Sequence, residues 1–190
     1  NNIQVFNGHL TITSNPLLLS LSGLSNNVSS IGGALTIRAN NSLTNLGGLG
    51  NITSIGGHLE ISNNVVLTTL SGLGPISSIG GGCTIDGNLN LTDVTAMNAL
   101  VTVAGSFSIS GNSSLVSTAG FESLTSVHGV LRVTDNPALQ SLTGLDNVNY
   151  NYITWLIIAN CNMLSICDVQ SVCDYLELTS GPVTISNNAI

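Results

Sequence analysis

Lysine is absent from this chain of 190 residues, and its only basic side chains besides three histidines are Arg38 and Arg132. With nine acidic residues the formal charge is -7. Surfaces that bind nucleic acid gather cations to meet phosphates, so that class of partner is excluded. Charge is scarce altogether, at 6% of residues, against about a quarter in an average domain. Long apolar runs are missing too. Trp155-Leu-Ile-Ile-Ala159 is among the longest, whereas a membrane helix needs roughly 18 apolar residues, so no membrane insertion is expected despite a mean hydropathy of +0.44. CxxC-type zinc spacing does not occur. The four cysteines (Cys83 alone, Cys161, Cys167 and Cys173 crowded) fit an exported protein with a local disulfide better than a metal site. No cofactor is implied. No signal peptide is visible, and the abrupt start at Asn1 reads as that of a mature or trimmed fragment. The length suits one domain, residues 1–190, with a sizeable core.

What is present is repetition. Ile31, Ile55, Ile79, Val103, Val127 and Asn151 recur at a constant interval of 24 residues. A slightly longer copy begins at Phe6, and a stretched last one near Thr179. Each copy reads apolar-Gly-Gly-x-Leu-x-Ile-x-x-Asn-x-x-Leu-x-x-Leu-x-Gly-Leu. Its Leu-x-Ile step (Leu35/Ile37, Leu59/Ile61, Leu131/Val133) has the two-residue alternation of a half-buried strand, and glycine and asparagine punctuate the turns. This predicts an all-β parallel β-helix, or solenoid, of about eight 24-residue coils. Strands stacked about 4.8 Å apart would make a rod roughly 38 Å long. One column holds asparagine in every copy: Asn15, Asn40, Asn64, Asn88, Asn112, Asn136, Asn160 and Asn188. An inward row of carboxamides can satisfy buried turn amides and bond rung to rung, so these residues form the expected asparagine ladder. Of five glycosylation sequons, at Asn27, Asn40, Asn51, Asn90 and Asn112, two fall in that ladder and are expected to be shut inside.

The alternation also assigns the outward columns. One runs Thr11, Thr36, Glu60, Thr84, Ser108, Arg132, Leu156, Thr184; the next runs Thr13, Arg38, Ser62, Asp86, Ser110, Thr134, Ile158, Ser186. Candidate ligand-binding residues on this face are Thr36, Arg38, Glu60, Thr84, Asp86, Ser108, Arg132 and Thr134. Glu60 and Asp86 lie diagonally on neighbouring coils but lack the buried setting a glycosidase acid needs, and no nucleophile–base–acid set converges. No catalytic residue is assigned. His9 and His58 share a column two coils apart, too far for one metal. A second stripe, Ser29-Ser30, Thr53-Ser54, Ser77-Ser78, Thr102 and Thr125-Ser126, carries no charge.

The pattern breaks after Asn160. Ile166, Val169, Val172, Cys173 and Leu176 recur at helical spacing, and Ser165 with Asp168 makes a capping-box signature, predicting one amphipathic helix over residues 165–178. Its expected role is to cap apolar coil edges. Cys83, in an inward leucine column, reads as a free buried thiol. One disulfide is expected among the others, Cys161 with Cys167 or Cys173, because a Cys167–Cys173 pair would face two ways on a helix.

The phrases SIGGALTIRANNSLTNLGGL and VHGVLRVTDNPALQSLTGL resemble the receptor L-domain family, relatives of leucine-rich repeats, as does the pair of residues between Asn136 and Leu139. The closing CDVQSVCDYLELTSGPVTISNNAI resembles the end of L-domain-like repeats in bacterial cell-surface proteins exported by the type IX system. The resemblance implies a right-handed β-helix with three short sheets, secreted or displayed on the cell surface. It also implies recognition or adhesion toward a surface glycan or protein and no enzymatic reaction. The alternatives are a stalk or fibre-forming element, associating with itself end to end, and an ice-binding solenoid using the flat Ser/Thr-rich face.

Overall fold

The computed structural model describes residues 4–24, 27–165 and 169–189. The chain is a parallel β-solenoid of about seven turns. Eight strands set seven intervals, which reconciles this count with the eight copies in the sequence. An eight-stranded sheet is formed by Leu10–Thr13, Leu35–Arg38, Leu59–Ser62, Cys83–Asp86, Phe107–Ser110, Val130–Thr134, Trp155–Ala159 and Val183–Ser186. A six-stranded sheet is formed by Gln4–Phe6, Val28–Ile31, Ser54–Ile55, Ser78–Ile79, Thr102–Val103 and Ser126–Val127. Two sheets, where three were expected, occur among the described residues. The third side is built of turns joined by isolated parallel bridges such as Leu49 to Leu73 and Thr69 to Asp93.

Strand pairing holds the inward columns in register, so that Leu35, Leu59, Cys83, Phe107, Leu131 and Leu156 stack, as do Ile37, Ile61, Ile85, Ile109, Val133 and Ile158. All are buried. Burying a Leu or Ile side chain contributes about 1.5–3 kcal/mol, and the repetition multiplies that term along the rod. Coil 5 compensates its departures locally: Phe121 packs edge-on to Phe107 at 4.9 Å, and the buried Thr118 hydroxyl donates to the Thr143 carbonyl at 2.9 Å. The columns finish half-buried at Leu10 and Ile12, and exposed at Val183 and Ile185.

The ladder forms. Each rung donates its backbone N–H to the carboxamide oxygen of the rung one coil on: Asn15 to Asn40 at 3.1 Å, Asn40 to Asn64 at 3.1 Å, Asn64 to Asn88 at 3.0 Å, Asn88 to Asn112 at 3.2 Å and Asn112 to Asn136 at 2.9 Å. From Asn40 to Asn136 each Nδ2 reaches back to the strand carbonyl of the coil before, Asn64 to Ile37 and Asn88 to Ile61 both at 2.9 Å. Asn40, Asn64, Asn88, Asn112 and Asn136 are wholly buried. The residue before each rung takes the left-handed bend, among them Ala39, Asn63, Gly87, Gly111 and Asp135.

Asn160 is not a rung, and here the sequence register fails. Its φ is +58°, it is exposed, and it is the left-handed residue. Cys161 is the rung. Its Sγ lies 3.9 Å from the Val133 carbonyl and 3.5 Å from that of Ala159, the two carbonyls a carboxamide would serve. The Cys161 N–H donates to Asn188 Oδ1 at 3.0 Å. The cause is one inserted residue: Asn149 bonds to Thr125 but Thr154 bonds to Gly129, so the insertion falls in the 3-10 turn Tyr150–Tyr152. The same shift removes Asn151 from the column of Val127. It also turns Leu156 and Ile158 inward, leaving Ile157 and Ala159 in the outward positions.

The helix runs Gln170–Leu178, shorter than expected, with Val169 at its N-terminal boundary and no side-chain cap. Ser165 therefore caps nothing, and Asp168, Ile166 and Cys167 lie outside the described residues. Starting at Gln170 aims Ser171, Val172 and Tyr175 at the solenoid and leaves Leu176 exposed. Ser171 donates to the Leu145 carbonyl at 2.6 Å, which pins the helix to the turn side of the rod while Val183–Ser186 stays an open edge. The thiols of Cys83, Cys161 and Cys173 are free, so the Cys161–Cys173 pairing is not formed; Cys161 is committed to the ladder.

Candidate functional site

The outer face of the eight-stranded sheet holds the candidate residues together. Thr36, Glu60, Thr84, Ser108 and Arg132 occupy one in-register column, continued by Ile157 and Thr184. Arg38, Ser62, Asp86, Ser110 and Thr134 occupy the next. Arg38 and Arg132 are exposed, and Thr36, Glu60, Thr84, Asp86 and Ser108 are half-buried. Glu60 accepts from the Ser62 hydroxyl at 2.6 Å and sits 3.8 Å from the Arg38 guanidinium. At that length, on a surface, such a pair contributes little stability but orients both groups. Thr134 departs from expectation: it is buried, its hydroxyl shared with Ser110 at 3.0 Å, and it is not available to a ligand.

One residue the columns did not single out belongs to this face. Trp155 pairs with Val130 at the start of its strand, two positions before outward Ile157 and hence on the same side. The indole is 42% exposed, and its Nε1 donates to Thr184 Oγ1 at 3.4 Å. A large, partly exposed aromatic offers an apolar ring face, and here its polar tip has one tether. The chain's single tryptophan was the available signal, but a register assumed constant hid the side it faces.

The charge-free stripe is real as a register: Ser30, Ser54, Ser78, Thr102 and Ser126 align. Its neighbouring column is structural. The Thr53, Ser77 and Thr125 hydroxyls donate to the carbonyls of Ser29, Thr53 and Val101, at 3.2–3.3 Å. Val101 interrupts that column, and Ser30, Ser54 and Ser78 line a groove of about 330 Å³.

A third regularity went unread in the sequence. On the turn side, Ser20, Asn45, Thr69, Asp93, Ser117 and Ser141 each accept, through the side chain, the N–H two residues on, at 2.8–3.1 Å. These Asx and ST turns hold the third side in place of a sheet. Asp93 is its one charged member. The Thr95 hydroxyl at 2.6 Å and the Thr95 N–H at 2.8 Å hold its carboxyl below the usual aspartate range, against a smaller desolvation effect. Thr69 Oγ1 adds a bond at 3.1 Å.

His9 accepts from the Ala34 N–H at 2.8 Å, which gives it a backbone role. Among the described residues no group of three His, Cys, Asp or Glu side chains could hold a metal ion, and no helix is long and apolar enough to cross a membrane. Compared with protein-family models, curated proteins and solved structures, the chain finds no match.

Proposed function

We propose that this solenoid is a non-catalytic recognition or adhesion module that binds a glycan on its eight-stranded face, and that it works outside the cell. The observation that carries the reading is Trp155. An exposed, tethered indole sits at one end of columns that repeat small hydroxyls along the rod and carry two guanidiniums, Arg38 and Arg132. A sugar presents an apolar C–H face to an aromatic ring and hydroxyls to polar neighbours, and a polymer of sugars is itself periodic. Display as a receptor L-domain-like solenoid of a bacterial cell surface belongs to the same proposal. It is supported by the repeat phrases and by the pair of residues between rung Asn136 and buried Leu139. Ice binding asks for a broad flat face, and the groove beside Ser30, Ser54 and Ser78 weighs against it. The test is an array of neutral and acidic oligosaccharides probed with the intact chain and with Trp155→Ala. At least one linear glycan should be retained by the former and lost by the latter. Absence of any glycan binding by the intact chain would overturn the reading.

A further inference from the structure

The glycine column of the turn side is broken once. Gly48, Gly72, Gly120 and Gly144 have φ between +90° and +122°, and each closes its coil's turn tightly; a Cβ on Gly72 would strike the Gly47 backbone. The corresponding residue in coil 4 is Ala96. A side chain there disfavours the left-handed bend, and Thr95–Met97 wind into a 3-10 turn instead. Each column glycine presses on the coil before it, as Gly72 does on Gly47, and Ala96 brings a Cβ to that place against coil 3.

A pocket of about 380 Å³ lies between the turns of coils 3 and 4. That volume lies within the range of small-molecule sites. Its wall combines Leu73, Pro75 and Ala96 with Thr69, Ser71 and Asn98, around the Asp93 carboxylate. Asp93 is already oriented: Oδ1 takes both Thr95 bonds and Oδ2 takes the Thr69 hydroxyl. A carboxylate offers about four lone-pair sites, so acceptor capacity remains on Oδ2. Hydroxyl and carboxamide groups that both donate and accept, beside a short apolar wall, match a ring that carries hydroxyls on its edge and C–H groups on its face. A ligand anion would meet Asp93 unfavourably.

We infer that this pocket is a second subsite, taking one neutral saccharide ring, on a different side of the rod from Trp155. The inference rests on the glycan reading and adds to it a place and a preference against acidic sugars. It is tested on the intact, isotopically labelled chain by amide NMR titration with methyl glycosides of glucose, galactose, mannose and N-acetylglucosamine, and of glucuronic acid. At least one neutral glycoside should shift the amides of Ser71, Gly72 and Thr95, and the glucuronide should not. Ser71→Trp fills the pocket from an exposed position, and Asp93→Asn keeps the turn acceptor while removing the charge; each should weaken that binding at least tenfold. If the intact chain binds oligosaccharides on the array but no glycoside moves these amides, the pocket assignment is overturned while the glycan reading stands. Shifts confined to the neighbourhood of Trp155 would overturn it equally. Should the array show no glycan binding, both fail together.

Discussion

Replacing Asn88 with alanine tests the ladder where it is deepest. The Asn88 carboxamide accepts the Asn64 N–H at 3.0 Å and the Asn64 Nδ2 at 3.3 Å, and donates to the Ile61 carbonyl at 2.9 Å. The backbone N–H of residue 88 keeps its bond to Asn112 at 3.2 Å, so the damage falls on the coil before. Asn64 loses the acceptor of a wholly buried N–H, and Ile61 loses a side-chain donor. At about 1–3 kcal/mol for each deprived buried group, Asn88→Ala should cost about 2–6 kcal/mol. For a chain of this size that lowers the melting temperature by roughly 5–20 °C. Asn98→Ala is the control: it removes an exposed side chain, keeps the backbone bond to Thr95, and should stay within about 0.5 kcal/mol. Calorimetry with urea titration reads the difference, and hydrogen exchange should show the Asn64 amide losing protection first. Equal destabilisation by the two changes, or an Asn64 amide that stays protected, would refute the idea that the carboxamides hold the coils together.

Burial pushes the Cys83 thiol up to about 12 and raises that of Cys161 as well, so at pH 8 a thiol reagent should leave both untouched in the folded chain and modify half-exposed Cys173. Labelling of Cys83 before unfolding would contradict the packing of its column. Produced in a glycosylating host, the folded chain should carry sugar at no sequon other than the exposed Asn27, Asn51 and Asn90, since Asn40 and Asn112 are sealed; peptide mapping decides. Asp93 has a folded-state pKa below the ordinary value of 3.8, so its bonds stabilise the fold above that value and lose their effect as pH falls through the lowered one. The melting temperature of the parent chain should therefore fall more steeply on acidification than that of Asp93→Asn; parallel curves would mean that the carboxylate's bonds to Thr95 carry no stability.

The sequence by itself determined the solenoid. A 24-residue period with Leu-x-Ile alternation and an asparagine in every copy has one economical solution, because each coil can bury its apolar face only against the next coil. It also determined which asparagines are inside from Asn40 to Asn136, since there the spacing is constant. Counting failed where the chain gained one residue. A single insertion in Tyr150–Tyr152 passes Asn160 to the left-handed bend, gives the rung to Cys161, and reverses the sides of Leu156 and Ile158. Side-chain period in a strand is two, so a slip of one inverts every residue after it; only backbone pairing fixes where the slip lies. That is why Trp155 was hidden as a candidate. The pocket beside Asp93 is beyond sequence for a different reason. Ala96 in a column of glycines is visible in the letters, but the space beside it depends on how the turn of coil 4 seats on that of coil 3, which is decided by the neighbouring coil and not by the residue itself.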